Sequence, residues 1–92
     1  MSGEAMPRTL EELADVIETA PNPAARQNFL ALVRAAADEL DDRPRLARSL
    51  LKALGDWALE YECGRAYPYE TIRWMAYAWV EALDARLGRD LA

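Results

Sequence analysis

Apolar residues recur along the chain at intervals of three and four, the spacing of an amphipathic helix. The first such segment begins at Thr9, which has Glu12 three residues later, the arrangement of a capping box that satisfies N–H groups at a helix start. The apolar positions that follow are Leu10, Leu13, Ala14 and Ile17. They predict a short first helix over about residues 9–19, ended by the turn APNP.

The second segment begins inside that turn. Asn22 can cap a helix there, and Pro23 fits its first position because the missing N–H of proline costs nothing at that point. The apolar stripe that follows consists of Phe29, Val33, Ala36 and Leu40. It predicts a long second helix over about residues 23–41.

The third segment follows the DDRP break, because a proline pushes the residue before it out of the helical region. Its predicted core face consists of Leu46, Leu50, Leu54, Trp57 and Tyr61. The pattern predicts a helix over about residues 44–63, with Gly55 on its polar side. Gly64 is expected just past its end, where left-handed backbone angles favour glycine.

The fourth segment has Pro68 as its expected first residue and Gly88 as its expected terminator. Its apolar face consists of Ile72, Ala76, Trp79, Leu83 and Leu87. No segment shows the period-two alternation of a half-buried strand. The sequence therefore predicts an all-α fold, a compact three- to four-helix bundle with one short N-terminal helix and three long helices. We expect residues 1–7 to form a mobile tail and residues 8–92 a single helical-bundle domain.

Composition and charge narrow the function class. The formal net charge of −5 disfavours a phosphate backbone as partner, so no direct nucleic-acid binding is expected. The chain has no histidine, and Cys63 is its single cysteine. These absences remove the Ser-His and Cys-His nucleophile pairs and the usual zinc sets. We therefore predict a non-enzyme with no catalytic residues, no cofactor and no metal site.

The chain also lacks the sequence features of membrane insertion. No apolar run approaches the ~20 residues that span a bilayer, and no basic segment followed by an apolar one precedes the first helix. The expectation is a soluble cytoplasmic protein with no membrane partner.

Five of the eight aromatic residues lie close together near the C-terminus, at Tyr67, Tyr69, Trp74, Tyr77 and Trp79. On a helical wheel Trp79 falls with the core stripe, whereas Trp74 and Tyr77 fall on the opposite side with Glu81. Large aromatic side chains with polar neighbours are typical of protein interfaces. We therefore predict that Trp74, Tyr77, Glu81 and Tyr67 bind another protein or a second copy of this chain. The alternative is that the first helix or the N-terminal tail covers that side.

The first helix carries an acidic cluster of Glu11, Glu12, Asp15 and Glu18. Such a surface can steer a basic partner, because summed charge raises encounter rates. The other interpretation is a solvated face whose first acids complement the helix dipole. A second acidic group, residues 38–42, precedes basic residues within 43–52, and the two groups can neutralise each other. A small-anion site on those bases is a weaker alternative.

We therefore predict a non-catalytic protein-interaction module, an adaptor, an assembly subunit or a homodimer, that uses the outward aromatic face of the last helix. The alternative is an acidic inhibitor, of phage or immunity type, that occludes a basic surface on a nucleic-acid-processing partner. A third hypothesis is a small-ligand pocket between the aromatic helices.

Overall fold

Four helices make up the part of the chain that the computed structural model describes, residues 9–61 and 68–91, with side chains as far as residue 88. They are α1 (Leu10–Ile17), α2 (Pro23–Glu39), α3 (Pro44–Glu60) and α4 (Tyr69–Leu91). One helix is short, three are long, and no strand occurs within these ranges. The prediction of an all-α bundle is confirmed. The predicted tail and the predicted helix end at Gly64 lie outside the described residues.

The helix starts follow local side-chain chemistry. Thr9 Oγ1 accepts a hydrogen bond from the Glu12 backbone N–H at 3.1 Å, and Asn22 Oδ1 accepts one from the Ala25 N–H at 3.1 Å. Both predicted caps are therefore present and satisfy N–H groups that have no partner within the helix. The start of α3 has no side-chain cap at Arg43, but Pro44 has no N–H there to satisfy.

All four helices contribute to one hydrophobic core. α3 packs on both α2 and α4, and α1 packs on α2 and α4. The largest fully buried side chains are Phe29, Leu13, Ile17, Leu51, Leu54, Ile72, Leu83 and Val33. Among the residues described, no helix is both long enough and apolar enough to cross a membrane.

Three aromatic rings join α2, α3 and α4 at one end of the core. Phe29 meets Tyr61 edge to face with ring centroids 5.7 Å apart, and Tyr61 stacks on Tyr69 at 5.0 Å. The Tyr69 hydroxyl accepts a hydrogen bond from the Asn22 backbone N–H at 3.2 Å. The start of α4 is thereby tied to the start of α2, although the two residues are far apart in sequence.

The buried face of α3 differs from the prediction. Leu46, Trp57 and Tyr61, which the pattern assigned to the core stripe, are 40%, 43% and 36% exposed. The residues that α3 buries are Ala47, Leu51, Leu54, Gly55 and Ala58. Three of these five are alanine or glycine, so the neighbouring helices can approach α3 closely on this side. The large side chains of Leu46, Trp57 and Tyr61 therefore remain at the surface.

Two glycines also differ from their predicted roles. Gly55 is buried rather than on a polar side, and a Cβ placed there would stand 2.7 Å from Tyr77 Cδ1. This close approach to the ring leaves room only for a residue without a side chain. The helix α4 continues through Gly88 to Leu91, so Gly88 does not end it. A glycine within a helix costs only about 1 kcal/mol relative to alanine, which one position in a long helix tolerates.

Candidate protein interface

Trp74 is the most exposed of the large hydrophobic side chains on the described surface. It is 59% exposed on α4, where the helical wheel places it outward. The Arg73 guanidinium lies 4.7 Å from the centroid of the Trp74 ring. Such a cation–π contact contributes about 0.5–1 kcal/mol at an exposed site and restricts the orientation of the ring. Trp74 therefore presents a large, partly ordered apolar surface to solvent.

Tyr77 does not share that outward surface, and its predicted orientation is wrong. Its ring packs against Gly55 of α3, and its hydroxyl donates a hydrogen bond to Asp56 Oδ1 at 2.6 Å. The absence of a side chain at Gly55 opens the space that the ring occupies. A helical wheel of α4 cannot predict this position of the ring, because the space that the ring fills is created by Gly55 on α3.

Contacts between α3 and α4 fix how the two helices align. Arg48 pairs with Asp84 at 2.5 Å, and Asp56 accepts from Tyr77, so the helices run antiparallel. On α3, Leu59 lies one turn beyond Asp56 on the same face, which places it level with Arg73 and Trp74. Leu59 is 47% exposed. Leu59 and Trp74 therefore flank the outer side of the α3–α4 contact at one level.

Glu81 and Tyr67 are the other two residues predicted to bind a partner. Glu81 is exposed and lies two turns beyond Trp74 on the same side of α4. Tyr67 lies outside the described residues. We name the surface formed by Leu59, Arg73, Trp74 and Glu81 the α3–α4 patch. It keeps Trp74 and Glu81 from the predicted set and adds Arg73, the sequence neighbour of Trp74. It also adds Leu59, which only the antiparallel alignment of α3 and α4 brings to their level.

A second apolar surface runs along the outward side of α3. It consists of Leu46, Leu50, Ala53 and Trp57, which follow one another at i, i+4, i+7 and i+11, and we name it the α3 outer stripe. Leu46 and Trp57 are exposed, Ala53 is partly exposed, and Leu50 is partly buried and packs against the hydrophobic core. The helical pattern predicted a core position for three of these residues, Leu46, Leu50 and Trp57. The signal that could have corrected it is the small-residue face of α3, which suits close helix packing better.

The acidic cluster of α1 forms an outward face. Glu11, Asp15 and Glu18 are exposed and follow one another at helical spacing, and Glu12 beside them is partly exposed. None of these four lies within the α3–α4 patch. The structure therefore separates the two surfaces that the sequence proposed for binding.

A shallow apolar groove of about 250 Å³ lies between α1 and α2. Its lining residues are Leu10, Glu11, Ala14, Val33, Arg34 and Ala37. None of them is aromatic, so this groove does not match the hypothesis of a ligand pocket between aromatic helices. Within residues 9–61 and 68–88, no three acidic or sulfur side chains come close enough to hold a metal ion together.

Comparison of the chain with protein-family models, with curated proteins and with solved structures gives no match.

A polar network borders the α3–α4 patch. Asp56 accepts from the Tyr77 hydroxyl through Oδ1 and from Lys52 Nζ through Oδ2, at 2.6 and 2.9 Å. The hydrogen bond from Tyr77, and then that from Lys52, holds the pKa of the Asp56 carboxyl below its ordinary value. Arg48 lowers the pKa of Asp84 in the same manner through a two-pronged hydrogen bond. These contacts hold α3 and α4 in the alignment on which the patch depends.

Removing the Tyr77 hydroxyl is expected to weaken folding in a pH-dependent way. Tyr77→Phe should lower the free energy of unfolding by about 1 kcal/mol at neutral pH. A larger loss is not expected, because the Asp56 side chain is 47% exposed and water screens the interaction. The folded-state pKa of Asp56 lies below its unfolded value, so this contribution is complete above about pH 4 and is lost as the pH falls through the folded value.

Urea unfolding followed by circular dichroism between about pH 3 and pH 7 measures this effect. The difference between wild type and Tyr77→Phe should shrink at the acidic end. Tyr69→Phe is a matched control, because its hydroxyl accepts from a backbone N–H and, among the described residues, is hydrogen-bonded to no carboxylate. Its loss of stability should change little with pH. A constant difference for Tyr77→Phe would show that the Asp56 hydrogen bond does not contribute.

Proposed function

We propose that the protein is a non-catalytic interaction module, an adaptor or assembly subunit, that binds another protein through the α3–α4 patch. The observation that supports this most directly is the 59% exposure of Trp74 on a helix whose alignment is fixed by a salt bridge and a hydrogen bond. Burying a large apolar side chain stabilises a complex by roughly 1.5–3 kcal/mol. An exposed tryptophan on a rigid helix offers that gain with little ordering cost.

The neighbours of Trp74 fit the usual composition of a binding surface. Tryptophan and arginine are enriched among the residues that dominate interface energies, and polar residues surround them. Arg73 lies against the tryptophan ring, Leu59 extends the apolar area onto α3, and Glu81 adds a charge at the edge. The patch suits a partner that offers an apolar pocket for the tryptophan ring.

The acidic inhibitor remains a second candidate, supported by the outward face of α1. Glu11, Asp15 and Glu18 are exposed there at helical spacing. Together with the net charge of −5, this face suits a basic surface on a nucleic-acid-processing protein. Binding through it would depend on charge rather than on apolar area.

Loss of the tryptophan side chain tests the first proposal. The partner is captured from the native host with the tagged full chain, identified by mass spectrometry and purified for titration. Trp74→Ala should weaken its binding at least about tenfold, because a central tryptophan is among the costliest interface residues to truncate. The control is Trp57→Ala, which removes another exposed tryptophan that lies on α3 outside the α3–α4 patch. It should leave the dissociation constant within about twofold of wild type. Equal binding by wild type and Trp74→Ala contradicts the proposal.

The triple variant Glu11→Gln, Asp15→Asn, Glu18→Gln separates the two candidates. Under the first proposal it should bind the captured partner nearly as well as wild type, with a weak dependence on salt. Under the inhibitor proposal binding should fall steeply with both the substitutions and added salt, because charge steering is screened.

A further inference from the structure

We propose that the groove between α1 and α2 binds an amphipathic helix of another protein, which carries basic side chains along the edge that faces α1. This surface shares no residue with the α3–α4 patch, so the inference goes beyond the interaction proposed above. The groove has a volume of about 250 Å³ and opens to solvent. A cavity of about 150 Å³ holds a benzene molecule, so the groove has room for a large apolar side chain of a partner.

The groove has an apolar floor and follows two antiparallel helices. Leu10 begins α1, whereas Val33 and Ala37 lie in the second half of α2, and all three line the groove. Because the connection joins the other ends of the two helices, α1 and α2 run in opposite directions. The small side chains of Ala14 and Ala37 leave the hollow between them. A hollow along a pair of helices is the geometry into which an amphipathic helix places its apolar side chains.

The edge of the groove on α1 is acidic. Glu11 lines the groove, and Glu18 follows seven residues later, only about 20° away around a helix of 3.6 residues per turn. Both side chains are exposed, and neither forms an ion pair. Seven residues is also the interval at which a helix repeats its contacts with a neighbouring helix. A partner helix can therefore place one base beside each of these two carboxylates.

The opposite edge and the other charges of the chain favour a foreign helix. Arg34 lines the groove from α2, is exposed and forms no ion pair, so the partner is expected to carry no base on that side. The row of bases on α3 does not suit the acidic edge, because Arg48 and Lys52 are already paired with Asp84 and Asp56. Two copies of the chain, each with a net charge of −5, also repel each other. Another protein therefore fits the groove better than a second copy.

Titration of the full chain with synthetic peptides tests the proposal. The probe has about 18 residues, enough to form a helix, with leucine along one stripe, lysine along one side of that stripe and glutamine along the other. One control peptide has glutamate in place of lysine, and a second has the composition of the probe in scrambled order. Fluorescence anisotropy should show that the probe binds at least about tenfold more tightly than either control. Equal binding of the scrambled peptide, or no saturable binding of the probe below about 1 mM, overturns the proposal.

The variant Ala37→Gln tests whether the groove itself is occupied. Ala37 is exposed and lines the groove, so glutamine there fills the hollow with a polar side chain and changes neither the core nor the net charge. It should raise the dissociation constant of the probe at least about fivefold. Ala31→Gln is the matched control, because Ala31 is an exposed alanine of the same helix that does not line the groove. An unchanged dissociation constant for Ala37→Gln would mean that charge alone attracts the probe, and it overturns docking in the groove.

The double variant Glu11→Gln, Glu18→Gln tests the acidic edge. It should raise the dissociation constant of the probe about fivefold at low salt and flatten its salt dependence, because two exposed ion pairs are lost. Glu60→Gln with Glu70→Gln removes the same charge from exposed positions on α3 and α4 and should have little effect. Equal effects of the two double variants overturn the proposed contact. Partner capture through Trp74 can fail while the probe binds, and the reverse also holds, so the two proposals are tested separately.

Discussion

Replacing Phe29 by alanine is expected to lower the free energy of unfolding by about 3–5 kcal/mol. Phe29 is fully buried, and its ring lies edge to face with both Tyr61 and Tyr69, at centroid distances of 5.7 and 6.3 Å. The variant loses apolar burial, leaves a cavity where α2, α3 and α4 meet, and removes two aromatic contacts. A chain of 92 residues has about 5–14 kcal/mol of stability in total, so this is a large share.

Urea unfolding at neutral pH, followed by circular dichroism, measures the change. Phe29→Leu is the matched control, because it keeps most of the volume and should cost less than about 1.5 kcal/mol. A loss below that value for Phe29→Ala would contradict the position of this ring at the centre of the core.

Introducing leucine at Gly55 is expected to destabilise the bundle by about 3 kcal/mol. A Cβ alone would stand 2.7 Å from Tyr77 Cδ1 and 3.2 Å from Cζ, and the remaining leucine carbons need space that the ring fills. The ring cannot yield cheaply, because it is rigid and its hydroxyl is held by Asp56 at 2.6 Å. Helix propensity alone would favour the substitution by up to about 1 kcal/mol, so a net loss identifies the clash.

A compensating substitution isolates that clash. In the Tyr77→Ala background the space of the ring is free, and Gly55→Leu should there be neutral or stabilising. The four chains form a double-mutant cycle whose coupling energy should reach about 2–3 kcal/mol. Gly88→Leu is the matched control, because nothing lies within 4 Å of a Cβ at Gly88, and it should not destabilise. Equal costs of Gly55→Leu with and without the Tyr77 ring would contradict the contact.

The same contact decides the shape of the candidate interface. Because Gly55 admits the ring of Tyr77 between α3 and α4, one of the two predicted outward aromatics is withdrawn from the surface. Trp74 then stands with Leu59 rather than with Tyr77. The predicted aromatic face of α4 is therefore replaced by a patch to which both α3 and α4 contribute residues.

Helix number, order and starts could be predicted because they depend on neighbouring residues. The hydroxyl of Thr9 and the amide of Asn22 each reach an N–H three residues away, and prolines at positions 23, 44 and 68 fix the backbone locally. The outward position of Trp74 followed from periodicity in the same way. Caps, prolines and helical periodicity all depend on residues close together in sequence, so these features can be predicted without knowing which distant residues pack together.

The sequence by itself determined an all-α chain with four helices and an exposed tryptophan on the last. Only the tertiary structure decided which of the two apolar faces of α3 is buried, because a helical period shows that residues share a face but not what packs on it. Close packing selected the face with Ala47, Gly55 and Ala58, where α2 and α4 can approach. That choice left Leu46 and Trp57 at the surface.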